Sequence, residues 1–340
     1  MTILVTGGCG YLGSHTCVEL LNAGYKAVVL DNLSNSSEEA LNRVMEITGK
    51  PITFYKADLL DKEALRNLFI KEAPHAVIHF AGLKAVGESV SIPLRYYSNN
   101  LTGTLHLCQA MSEFNVRKLV FSSSATVYGN PDHVPVREDA PLQPTNPYGR
   151  TKLMIEDLLR DLHASDPTWH IALLRYFNPV GAHASGRIGE EPRGVPSNLV
   201  PYLSRVALGK LPQLQIFGGD YPTPDGTGIR DYVHVTDLAV GHIKALEKLE
   251  SHQGIEAYNL GTGRGLSVLD MIRAFEQASG RRITYNVTGR RSGDSAVSYA
   301  NADKALRELN WKAERTLAQM CESAWKWQIN NPNGFKNEAL

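Results

Sequence analysis

At 340 residues the chain is long enough to bury a sizeable core and to form two lobes. Its 35 Lys and Arg balance 35 Asp and Glu without a basic run, so neither a nucleic acid nor a membrane surface has electrostatic support as a partner. Cys9, Cys17, Cys108 and Cys321 show neither metal-ligand spacing nor a disulfide framework; with no long apolar span and a core strand at its very start, the sequence reads as a soluble, cytoplasmic protein.

The first predicted element is a short apolar strand over residues 2–6, followed by Gly7, Gly8, Cys9, Gly10, Tyr11, Leu12, Gly13 and a helical run from Ser14 to Ala23. Read from Gly8 the loop is G-x-G-x-x-G, and read from Gly7 it is G-x-x-G-x-x-G. In either reading glycines permit a tight turn and close backbone approach, and the helix start offers N–H donors to a pyrophosphate. The strand before and the helix after supply the context that this motif needs. A second strand over residues 27–30 ends in Asp31, eighteen residues after Gly13. A carboxylate there accepts from a ribose 2′-hydroxyl and repels a 2′-phosphate, which favours NAD over NADP. Cys9 reads as a small loop residue without redox chemistry.

Apolar runs at 52–55, 76–80, 118–122 and 170–175 then alternate with helical stretches near 61–71, 94–114 and 147–164, the pattern of a Rossmann-type, doubly wound parallel sheet. The last of these helices opens with Pro147, Tyr148 and, four residues on, Lys152. Positions i and i+4 share one helix face, so the phenol and the ammonium point to the same spot. A free phenol titrates near 10. Lys152 and an oxidised nicotinamide, each roughly 5 Å away, would each supply about 3 kcal/mol at an effective dielectric of about 20, which brings the phenolate within reach near neutral pH. Alone, the pair also fits an ordinary amphipathic helix; the glycine loop in the same chain decides for chemistry.

After about residue 178 the pattern breaks into Gly- and Pro-rich segments at 181–196 and 218–228, a loop composition suited to ligand contacts. Residues 233–262, with a strand at 233–235 and a helix at 237–250, read as the chain returning to the first domain. The expected division is an NAD-binding domain over 1–178, rejoined near 233–262, and a smaller mixed α/β substrate domain from 179–232 and 263–340. His79 and His234 read as structural, and Trp311, Trp325 and Trp327 as packing groups near the C-terminus.

Several stretches together carry a resemblance. They are Thr6 to Gly13, residues 81–88 (Ala-Gly-Leu-Lys-Ala-Val-Gly-Glu), residues 122–129 (Ser-Ser-Ser-Ala-Thr-Val-Tyr-Gly), the Tyr148/Lys152 pair, residues 174–182 and the run Arg230-Asp-Tyr-Val-His. With these the chain closely resembles the extended short-chain dehydrogenase/reductases, in particular those that epimerise UDP-hexoses at C4, over residues 2–335. The resemblance implies that Tyr148 is the base for the sugar 4-hydroxyl, that Lys152 lowers its pKa and holds the nicotinamide ribose, and that Ser124 shares a hydrogen bond with the substrate oxygen. It implies NAD contacts from Gly7, Gly10, Tyr11, Leu12, Gly13, Asp31, Asn32, Asp58, Leu59, Phe80, Lys84, Asn99, Ser122 and Tyr176. UDP contacts follow from Asn178, Asn198, Leu199, Phe217, Arg230, Arg291 and Asp294. The implied reaction interconverts UDP-galactose and UDP-glucose through a 4-keto sugar on retained NAD, and the implied assembly is a homodimer formed by the helices around 96–110 and 148–162.

One position is expected to set the sugar range. Aligned on Arg291, Ser292, Gly293 and Asp294, the residue beside the sugar is Ser298, small enough to admit N-acetylated hexosamines; a slip of one residue puts Tyr299 there instead. Two rival enzymes share this fold. The 4,6-dehydratases carry an Asp-Glu pair before Val-Tyr-Gly where this chain has Ala125 and Thr126, which cannot transfer protons in that role. A UDP-glucuronate epimerase or decarboxylase needs a cation opposite the C6 carboxylate, which sequence leaves open. A non-catalytic NAD sensor would have lost Tyr148 or Lys152, and both are present.

Overall fold

A computed structural model describes residues 1–335 apart from 195, 252, 292 and 293. The first half alternates strand and helix: β1 (Thr2–Thr6), α1 (Tyr11–Asn22), β2 (Lys26–Asp31), α2 (Glu39–Thr48), β3 (Thr53–Lys56), α3 (Lys62–Glu72) and β4 (Ala76–His79). Next come α4 (Val86–Ser91), α5 (Pro93–Tyr97), α6 (Gly103–Glu113), β5 (Lys118–Ser122), α7 (Pro147–Ser165) and β6 (His170–Tyr176). The remainder comprises β7 (Asn178–Val180), α8 (Leu199–Ala207), β8 (Leu214–Phe217), β9 (Ile229–Arg230), β10 (Tyr232–His234), α9 (Val235–Ser251) and β11 (Gly254–Leu260). It closes with β12 (Leu266–Ser267), α10 (Val268–Ser279), β13 (Tyr285–Thr288), β14 (Val297–Ser298), α11 (Asp303–Leu309) and α12 (Leu317–Asn330).

Seven strands form one parallel sheet in the order β11-β6-β5-β4-β1-β2-β3. β1, β2, β4, β5 and β6 read as largely apolar runs because both faces of the sheet are covered by helices there. Side chains alternate between those faces. Ile3, Val5, Val29, Ile78, Val120 and Leu174 enter one core, while Leu4, Val28, Leu30, Val77, Leu119 and Leu173 enter the other. The chain winds outward from β1 to β3 and then crosses back to β4 on the far side of β1. The carboxyl ends of β1 and β4 therefore diverge and open the crevice where ligands of such sheets bind.

Two departures from the expected elements bear on the site. The helix expected over 94–114 is preceded by a separate short helix, α4, with a break at Ile92 between them, and is itself interrupted by a wider π-type turn at Ser98–Thr102. Pro93 forces the first break, since the residue before a proline is driven out of the helical region; Ile92 has φ −133° and ψ 58°. At the wider turn Asn100 faces inward, accepting from Leu83 N (2.8 Å) and donating to Leu83 O and Thr151 Oγ1. The strand expected at 233–235 ends at His234 and pairs with β7 instead of the large sheet. Farther along that stretch, α9 lies against α1 and β11 takes the sheet edge beside β6. Around a third core of Leu203, Ile216, Tyr232, Met271, Phe275 and Met320 pack α8, α10 and α12. The short pair β8/β13 and the three-stranded sheet β12-β9-β14 complete that part.

Candidate active site

The glycines of the first loop are required by contact. Gly7 has φ +71°, and a Cβ there would stand 2.7 Å from Ala81 N, at the exit of β4. A Cβ on Gly13 would reach within 2.3 Å of Gly7 O, and one on Gly8 within 2.7 Å of Val29 Cγ1. Both spacings read from the sequence are thus realised in one turn. α1 begins at Tyr11, three residues earlier than expected, with Gly10 as its uncapped N-cap. No side chain competes for the N–H groups of its first turn, a cradle suited to a pyrophosphate. The donor set fits a dinucleotide.

Asp31, at the end of β2, is buried and accepts from Cys9 N, Leu33 N and Ser36 Oγ at 2.8 to 3.0 Å. The carboxylate therefore ties the glycine loop to the loop after β2. Asn32 donates to Asp58 Oδ2 (2.8 Å), and Leu59 tucks into the core below Gly103. Phe80 directly follows β4 with the buried His242 ring 4.6 Å away, and the same imidazole lies 5.8 Å from Tyr176. Lys84 follows on the next loop and pairs with Glu190. Asn99 stands in the π-type turn, donating to Asn100 Oδ1.

Beyond β5 the Tyr148 region is assembled by short-range capping. Asn146 caps α7 by accepting from Gly149 N (2.9 Å), and Pro147 occupies the first helical position, where no N–H is needed. Gly149 permits the approach of α7 to the turn after Ser124: a Cβ would lie 2.9 Å from Thr126 O. Tyr148 is thereby brought close enough to Ser124 for that hydroxyl to pull its pKa down, while Ser124 Oγ accepts from Thr126 N and Thr126 Oγ1. Lys152 Nζ donates to Ser122 O (2.6 Å) and lies 4.8 Å from the Phe121 ring and 5.9 Å from the Tyr148 ring. Ser122 Oγ and Tyr176 OH share a hydrogen bond.

The electrostatics correct the simple sequence argument. Burial pushes the Tyr148 phenol up to about 12, against the pull of Ser124, and lowers the Lys152 ammonium to about 8, against the pull of Glu156. Burial outweighs the pull of Ser124, so the phenol stays protonated near neutral pH until positive charge is brought to bear on it. Sequence reasoning also missed Glu156, four residues beyond Lys152 on the same face. It is fully buried, forks onto Arg175 (2.6 and 2.9 Å) and accepts from Ser123 and Arg160. The i, i+4 spacing was the available signal.

The residues expected to hold UDP come from the second half of the chain. Ser298 in β14 pairs with Arg230 in β9, so the two share a strand level. The Tyr299 ring packs toward Gly265. Arg291 stands 4.6 Å over the Phe217 ring and pairs with Asp294 at 2.9 Å; Ser292 and Gly293 between them lie outside the described residues. Asn198 is the N-cap of α8 and Leu199 its first residue. Asn178 N donates to Asp231 O. Asp231, unassigned although it stood inside the Arg230 to His234 motif, accepts from Thr262 N, Thr262 Oγ1, Gly263 N and Ala300 N. It fixes the segments that carry Arg230, Ser298 and Asn178.

Other groups are structural. His79 bonds Thr6 and Thr104, and His234 bonds Ser323 and Thr236 N; burial lowers both to about 3. Trp311 and Trp327 sit in the first core, and Trp325 edges Phe275. All four thiols are buried and raised, Cys9 included. A cavity of about 450 Å³ at the β11 edge is lined by Arg137, Arg160, Arg175, Lys304 and Arg307, each already ion-paired, and by none of the expected site residues.

A glycine cradle at the switch point of a parallel sheet, with a Tyr/Lys pair across the crevice, defines an NAD-dependent enzyme acting on a hydroxyl or carbonyl carbon. Residues 3–261 match the model of the NAD dependent epimerase/dehydratase family, and the chain belongs to that family. It is 64% identical over 337 residues to the UDP-glucose 4-epimerase of Bacillus subtilis, covering 99% of each chain. Among solved structures it is similar to the UDP-glucose 4-epimerase of Bifidobacterium longum in complex with NAD+ and UDP, at 53% identity and TM-score 0.96 over 98% of this chain and 100% of that one. It is also similar to the UDP-Glc/GlcNAc 4-epimerase of Campylobacter jejuni, at 37% identity and TM-score 0.85, covering 97% and 99%.

Proposed function

We propose that the chain interconverts UDP-galactose and UDP-glucose by inverting C4 of the hexose through a 4-keto sugar, on NAD that stays bound between turnovers. The observation that carries this reading is the buried Tyr148 phenol with Ser124 and Lys152 beside it, together with the uncapped glycine cradle at the start of α1. NAD bound there supplies a reversible hydride acceptor, so inversion needs no net oxidant. Tyr148 takes the proton of the 4-hydroxyl and returns it, Ser124 orients that oxygen, and Lys152 stabilises the phenolate.

Because the keto sugar must present both faces, the grip belongs on UDP and stays weak on the pyranose. Arg230 and Arg291 suit the diphosphate through their paired donors, and Phe217 with Arg291 above it offers a flat surface to the base, with Asn178, Asn198, Leu199 and Asp294 around them. Ser298, level with Arg230, leaves room beside the sugar, which supports turnover of UDP-N-acetylgalactosamine and UDP-N-acetylglucosamine as well. We assign residues 1–178 with 233–262 to NAD and the rest to the UDP-sugar. The described helices contain none long and apolar enough to cross a membrane, and four buried free thiols suit the cytoplasm. A homodimer is the assembly we favour: Val90, Leu94, Leu105 and Met154 are exposed on α4 to α7, Leu94 at 82%.

The test is conversion of UDP-galactose to UDP-glucose by purified protein without added cofactor, with UDP-N-acetylgalactosamine in parallel. Turnover of the first is expected. None, even with NAD added, would overturn the assignment and turn attention to UDP-glucuronate.

A further inference from the structure

Glu190 belongs to the segment between β7 and α8, whose loop composition suits ligand contacts but within which Glu190 itself had no role read for it. Its backbone is pinned: Trp327 Nε1 donates to Glu190 O (3.2 Å), and a Cβ on the preceding Gly189 would fall 2.4 Å from Trp327 Cγ, so only glycine lets the segment lie so close. Its side chain is only 9% exposed. A single oxygen, Oε1, accepts from Lys84 Nζ (3.0 Å) and from Asn198 Nδ2 (2.7 Å). Lys84 stands on the loop that leaves β4, at the cofactor crevice. Asn198 is the N-cap of α8, among the residues expected to hold UDP. Tyr11, on the first turn of α1, lines one small cavity with Glu190 and donates to Gly181 O (2.6 Å).

We propose that Glu190 is a positioning residue that couples the nucleotide-sugar site to the cofactor site, by holding Asn198 and Lys84 on one carboxylate oxygen. The inference rests on the function proposed above. A ligand that engages Asn198 changes what Glu190 can offer Lys84, so UDP occupancy alters how firmly NAD is held. Thermodynamic linkage makes the effect reciprocal, with NAD loading changing UDP affinity by the same factor.

Exchange of bound NAD for labelled NAD on the purified holoenzyme, with and without saturating UDP, reads this coupling without turnover. In the unsubstituted protein UDP is expected to change the exchange rate about fivefold or more. Glu190→Ala is expected to bring that ratio close to one while calorimetry still detects UDP binding. Glu190→Gln, which keeps an acceptor of the same shape, restores part of it and serves if Glu190→Ala does not fold. A ratio unchanged in both variants, or an unsubstituted protein whose NAD exchange ignores bound UDP, overturns the proposal. Failure of the functional reading is distinguishable, because the unsubstituted protein would then neither bind UDP nor epimerise UDP-galactose.

Discussion

Tyr148 has to give up a proton that its surroundings hold tightly. Its phenol is pushed up to about 12 by burial, which Ser124 offsets only in part, while Lys152 Nζ stands 5.9 Å from the ring. Tyr148→Phe removes the proton acceptor while leaving the ring's packing, so kcat is expected to fall about 10²- to 10⁴-fold with bound NAD unchanged by absorbance after denaturation. Loss of the cofactor with the activity would assign Tyr148 to binding instead. At the sugar end, Ser298→Tyr is expected to lower kcat/KM for UDP-N-acetylgalactosamine about tenfold or more and to spare UDP-galactose. Equal turnover of the acetylated sugar by both forms would remove Ser298 from that position. The Tyr148/Lys152 pair was legible because its i, i+4 spacing is local. Glu190 and Asp231 were not, because their partners lie far along the chain, as with Lys84, 106 residues from Glu190.

At the level of elements, what sequence showed best was the long periodic ones. The strands β1, β2, β4, β5 and β6 are continuous apolar runs because both sheet faces are covered, and α7 carries an apolar stripe behind a Pro at its first turn. The wider turn at Ser98–Thr102 escaped notice, since one extra residue in a helical turn barely shifts the apolar pattern, yet it sets Asn99 and Asn100 at the crevice. The strands β9, β12 and β14 are two residues each, too short to show a period of two. The glycine cradle gives the sharpest element-scale expectation. Gly13→Ala puts a methyl 2.3 Å from Gly7 O, so the turn must open; NAD retention should be lost, with about 1–3 kcal/mol of stability measured by urea unfolding. A variant that kept its NAD would show that the α1 start does not bind the pyrophosphate.

Across the whole molecule, buried histidines make stability depend on acidity. His15, His79 and His234 are lowered to about 3 and His242 to about 4, each chiefly by burial. Their folded pKa values lie below the unfolded value near 6.5. Their contribution is therefore fully present above about 6.5 and is lost as pH falls toward 3 to 4, because the unfolded chain binds protons that the folded one refuses. Unfolding near pH 5 should take up about four protons from these groups, and Tm should already fall between pH 6.5 and 5, ahead of most carboxylates. A flat Tm across that interval would mean that the histidines titrate in place. Lys152 acts in the opposite range: with its pKa lowered to about 8, the cost of burying its charge is present below pH 8 and is relieved as pH rises toward 10.5. The central claim is that one crevice removes the C4 hydride and returns it to the same carbon without releasing it. The most direct test is to incubate UDP-galactose carrying deuterium at C4 with purified protein and no added cofactor. Full retention of the label at C4 of the UDP-glucose formed is the predicted result, and washout into solvent would contradict it.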